Sequence, residues 1–133
     1  MTPEEIRSAT MASFCASWAT CTVIDLPNQP FTAPKNAAWV KPRMRFSQSF
    51  ELEIGVSGAG LRTGTIMVET FVRAGSGTKT GLTLAGRVEA IFRRKDLSGV
   101  LCKEPSTDET GVDEDTGAYR FLTNIDFEAF VGE

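Results

Sequence analysis

The side chains best suited to chemistry in this chain are acids, and there is no histidine to work with them. That absence removes Ser-His-Asp and Cys-His nucleophilic catalysis, the commonest general base, and almost all metal sites built on imidazole. Asp113-Glu114-Asp115 could hold a hard cation such as Ca²⁺ or Mg²⁺, because consecutive carboxylates supply oxygen ligands. The run lacks the D-x-[DN]-x-[DN]-G spacing and the distal Glu of a calcium loop, so a solvated acidic loop is the simpler reading. Lys79 lies in AGSGTKTGLTLAG (74–86), a glycine-rich stretch between an apolar run and a helix-like one. A phosphate-binding loop needs glycine directly before its Lys and again six places back, where this chain has Thr78 and Arg73. The G-x-G-x-x-G pattern fails too, since Gly81 comes one place late after Gly75 and Gly77. The stretch is therefore expected to be a connector, with Lys79 exposed and ordinary.

Three cysteines, Cys15, Cys21 and Cys102, form neither a C-x-x-C pair nor an even disulfide set, and they read as small buried hydrophobes. No catalytic constellation, cofactor site or metal site emerges. Lys41, Arg43 and Arg45 alternate along one strand-like stretch, so they share a face that could meet phosphates or a partner's carboxylates, or simply be solvated. A net charge of −3 and a pI near 5.1 argue against a dedicated nucleic-acid binder, whose affinity comes from neutralising phosphates. Two early glutamates stand where a signal peptide would be basic, and no apolar run reaches bilayer length. A soluble, cytosolic product with no membrane partner is expected.

The elements that must position these residues can be read from capping and periodicity. Thr2-Pro3-Glu4-Glu5 is a capping box, and Ile6, Ala9, Ser13, Phe14 and Trp18 form an apolar stripe, predicting a helix to about Ala19. Three prolines make 25–37 an extended connector. Ala38 to Phe46 reads as an edge or irregular strand, demoted by Pro42, with Trp39 as a core or rim aromatic or an interface anchor. Phe50 to Ile54 and Arg62 to Arg73 read as a hairpin with Gly55, Gly58 and Gly60 near its tip. Leu84, Ala85, Val88, Ile91 and Phe92 predict a second helix starting near Thr78 or Thr80, in which Gly81 and Gly86 each cost about 1 kcal/mol relative to Ala. Gly99 to Cys102 is a short strand, and Tyr119 to Phe130 is a longer one with a bulge expected at Asn124. Between them, 103–117 carries six acids and one Lys and is expected to be a mobile loop. The fold class is α+β: one domain over 1–133, with a largely antiparallel sheet and two packed helices.

This arrangement resembles a family of tailed-phage and prophage tail terminator proteins, also called tail-completion proteins. The resemblance rests on the N-terminal helix, Ala38-Trp39-Val40, Leu61-Arg62-Thr63-Gly64 opening the return strand, and Ile66-Met67-Val68-Glu69-Thr70-Phe71-Val72. It continues through Gly75-Ser76-Gly77, Val88-Glu89-Ala90-Ile91-Phe92 and Tyr119-Arg120-Phe121, nearly the whole chain, with Arg62-x-Gly64 the most telling piece. It implies a non-enzymatic virion protein forming a ring, usually hexameric, that caps the tail tube, stops its polymerisation and offers its other face to the head connector. Self, the tail tube protein and the head–tail connector protein would be partners, with DNA only as passing cargo, and the location would be the virion tail. Arg43, Arg45, Arg62, Gly64, Asp113, Glu114 and Asp115 are the expected contact residues. For Arg62 a hairpin salt bridge, and for Gly64 a bulge or tight packing point, are the structural alternatives. A neck or tail tube protein of the same particle, and an adaptor binding through an open edge strand, are the other functional readings.

Overall fold

The computed structural model of the chain describes residues 2–19, 21–34, 37–51 and 60–131, of which 48–51 and 131 are described by backbone alone. Helix α1 (Pro3–Trp18) starts on the predicted box: the Thr2 hydroxyl accepts the Glu5 N–H at 3.2 Å, and the Glu5 carboxylate accepts the Thr2 N–H at 2.8 Å. Its buried face is Ile6, Thr10, Phe14 and Trp18, a run of four-residue steps that takes Thr10 inward in place of Ser13. Helix α2 (Lys79–Phe92) buries Gly81, Ala85, Val88 and Phe92. Among the described residues no helix is long and apolar enough to cross a membrane.

The strands are β1 (Val23–Ile24), β2 (Trp39–Glu51), β3 (Gly60–Val72), β4 (Asp96–Leu97), β5 (Val100–Cys102), β6 (Ser106–Val112) and β7 (Tyr119–Val131). They form one sheet in the order β1-β2-β3-β7-β5-β4, with β6 also paired to β7. Among the described residues only β1 and β2 run parallel. The α+β class with a largely antiparallel sheet and two packed helices is therefore the fold observed.

Alternation along the strands sorts the two faces. Val40, Ile66, Val68, Ile125, Phe127 and Ala129 point to the helices and meet Ile6, Phe14, Trp18, Val88 and Phe92 in one core. Phe14 lies between Trp18 at 5.3 Å and Phe92 at 5.8 Å, so stacked rings tie α1 to α2. On the opposite face Trp39 and Phe71 stack at 4.7 Å, and Phe31 and Ala33 from the proline-rich connector pack on them. The connector thus lies against its own sheet.

Three expectations are corrected. The two strand segments expected on either side of Ser47 are one strand, β2, because a register shift between Phe46 and Ser49 absorbs the irregularity without breaking the ladder with β3. The bulge expected at Asn124 is absent: β7 pairs with β3 without a shift from Tyr119 to Val131, and the irregularity in its other ladder falls between Glu109 and Gly111. The segment 103–117, expected as a mobile loop, contains β6. Its composition is that of a loop, but a turn closed by the Asp113 N–H to the Ala118 carbonyl at 2.7 Å folds it back on β7. The two-residue strands β1 and β4 have no sequence signal of their own and exist through their partners β2 and β5. The expected hairpin tip at Gly55 and Gly58, with Leu52 to Ile54, lies outside the described residues.

Candidate functional site

The expected contact residues fall in three places. Arg43 and Arg45 lie on β2, whose outer side carries β1 only at Trp39 and Val40. Pro42 is tolerated in this strand because no further strand asks for its missing N–H beyond that point. Arg43 is committed internally: its guanidinium donates to the Asp25 carbonyl at 2.9 Å and the Pro42 carbonyl at 2.7 Å, and stands 3.6 Å from the Asp25 carboxylate. It clamps the chain leaving β1 onto β2. Arg45 is exposed and makes no ion pair among the described residues.

Arg62 and Gly64 lie on β3, on the side of the sheet that faces the helices. A Cβ on Gly64 would stand 2.3 Å from the Arg45 carbonyl oxygen and 2.7 Å from the Phe127 ring. Phe46 and Phe127, its two cross-strand neighbours, meet edge to face at 6.0 Å above it. Gly64 therefore occupies the tight packing point weighed as its structural alternative. Arg62 is half-buried opposite Ser49 and Ala129; its Nε is buried without a hydrogen-bond partner, and it forms no ion pair among the described residues.

Asp113, Glu114 and Asp115 form the turn between β6 and β7, across the sheet from β2. The Asp113 carboxylate accepts the Thr116 hydroxyl at 2.7 Å, and this bond holds its carboxyl below the usual range. Gly117 takes φ +75 to complete the turn. Glu114 and Asp115 are exposed. Among the described residues no group of three or more Cys, Asp or Glu is placed to hold a metal ion.

The sequence reading missed how β6 and its neighbours carry charge. Asp108 is exposed on β6 opposite Leu122, on the helix-free face. Across that face Lys41 stands opposite Glu69, and Arg120, diagonally placed on β7, lies 3.0 Å from the Glu69 carboxylate. The register that brings Lys41 beside Glu69, 28 positions later in the chain, has no local signature. A hollow of about 460 Å³ beside Trp39 lies between Pro34, Arg73 and Asp115. Among the described residues the arrangement presents open strand edges and exposed charged side chains.

Comparison with known proteins gives the fold and the family. No curated protein sequence matches the chain. Several solved structures match; one of them does so with a TM-score of 0.71 at 16% identity, covering 97% of this chain and 96% of that chain, which shows that the fold is shared. The family model described as phage tail terminator protein matches residues 5–118. With a match over most of its length, the chain belongs to the phage tail terminator family.

Proposed function

We propose that this chain is a non-enzymatic virion protein that closes into a ring, six copies being the expected number, on the end of the phage tail tube. The ring ends tube polymerisation and presents its other face to the head connector, leaving a passage for DNA. It works at the head–tail junction of the virion, after synthesis in the host cytoplasm. The observation that carries the reading is the tail terminator family match over residues 5–118. The fold supports it: the two open margins of the sheet are different surfaces, as a head-to-tail ring requires, and ring closure needs no chemistry.

The test is the mass of the purified chain across a concentration series by light scattering, followed by mixing with growing tail tubes. A mass near six times 14.4 kDa, or a monomer that forms rings only on tubes and halts their growth, is the expected result. Self-assembly into long tubes would sink the terminator reading in favour of a tube protein. A persistent monomer indifferent to tubes would move it to an adaptor.

A further inference from the structure

Besides the outer edges of the two-residue strands β1 and β4, two strand edges are left unpaired among the described residues, and they lie on opposite sides of the sheet. One is the outer edge of β2 beyond Val40; the other is the outer edge of β6, which pairs only with β7. Unpaired edges are templates for another strand. Their charges are segregated. Lys41, Arg43 and Arg45 are followed by no acid until Glu51, whereas Ser106 to Gly117 holds five acids and no cation. Arg45 and Asp108 are both exposed, and neither makes an ion pair among the described residues. Cations and a proline on an edge ordinarily discourage pairing, but an edge of opposite charge turns that repulsion into selection.

Strand direction permits the junction. From β2 through β3 and β7 to β6 every pair is antiparallel, so β6 runs opposite to β2. Copies related by rotation about an axis along the strands would bring β6 of one beside β2 of the next as an antiparallel pair. Within one copy Ser106 lies level with Arg43, through Asn124 and Met67, so β6 must slide along to clear the part of β2 covered by β1. Four strands about 4.8 Å apart, tilted by about 35–45° as in closed sheets, supply a stagger of about four to six residues. The stagger must be even, because a one-residue slip would turn the helix-free side chains of one strand against the helix side of the other. A stagger of four sets Asp108 directly opposite Arg45.

We propose that neighbouring copies join edge to edge, β6 of one adding to the outer edge of β2 of the next, with Asp108 paired to Arg45 across the seam. The inference rests on the ring reading and names its contact. Its test is charge reversal: Asp108→Lys, Arg45→Glu and the double variant, each checked for native melting and then for mass by light scattering. Both sites are exposed, so the fold should tolerate them. Each single reversal should raise the concentration at which rings half-assemble by about tenfold or more, and the double variant should recover most of the loss. A ring whose mass ignores both single reversals, or singles that the double fails to rescue, would overturn the seam while leaving the ring reading intact. A wild-type chain monomeric both alone and on tubes would overturn the ring, and the seam with it.

Discussion

Gly64 and Cys102 show how far a single residue's role depends on what the sheet puts around it. Gly64 stands out in the sequence as part of Arg62-x-Gly64, where an interface role and a packing role have equal claim. In the fold the Phe127 ring and the Arg45 carbonyl occupy the space of its missing side chain. Arg43 is similar: it reads as a free surface cation until Asp25 is brought against it. Cys102 is buried on β5, and burial, with a smaller contribution from Asp96, pushes its thiol up from 9.0 to about 11. A raised folded pKa means that this group's contribution to stability is complete below about pH 9 and is lost as the pH rises toward 11. Relative to Cys102→Ala, the wild-type chain should lose about 2 kcal/mol of unfolding free energy across that window, read from denaturant melts at each pH. Parallel curves for the two proteins would refute the assignment.

At the scale of the element, α2 sets two glycines against each other. Both weaken the helix to the same degree on propensity alone. A Cβ on Gly81 would stand 1.9 Å from the Phe121 ring, whereas one on Gly86 meets nothing within 4 Å. Gly81 is therefore the contact that lets α2 lie close on β7, and Gly86 is a plain loss of helix stability in the isolated chain. Gly81→Ala should destabilise by about 2 kcal/mol or more through overpacking, and Gly86→Ala should stabilise by about 0.5–1 kcal/mol. Thermal melts of the two variants decide this, and equal shifts would contradict the placement of α2. The element ends were largely legible because caps and glycines are local: Thr2 and Glu5 for α1, and Gly75 and Gly77, both at positive φ, before α2. The strand β6 was not legible. Its residues are polar on both sides, and its pairing depends on a turn and on Thr107, which meets Glu89 of α2 and Thr123 of β7.

For the whole molecule the decisive feature is that, among the described residues, strand edges on opposite sides of the sheet stay unpaired and carry opposite charge. The proposed head-to-tail ring, closed on such edges, would be sensitive to screening, since the Debye length falls from about 10 Å at 0.1 M salt to about 3 Å at 1 M. Raising the salt to 1 M should therefore shift the half-assembly concentration of the wild-type chain upward. It should move the Asp108→Asn, Arg45→Gln double variant much less. Light scattering at both salt concentrations reads the difference, and an equal shift for the two proteins would show that charge at this seam does not govern assembly. The helix-covered face takes no part in this contrast, because its apolar side chains are already spent on the core.

The amino-acid sequence by itself determined the helices, the long strands β3 and β7, the α+β class and the want of any histidine chemistry. It did so because caps, periodicity and composition act over a few residues. Only the tertiary structure decided that Gly64 packs, that Arg43 clamps Asp25, that 106–112 is a strand and that Asp108 and Arg45 stand on opposite margins. Those outcomes depend on register between strands far apart in the chain, where one position of slip exchanges the two faces of the sheet and no local pattern records which neighbour a strand will find.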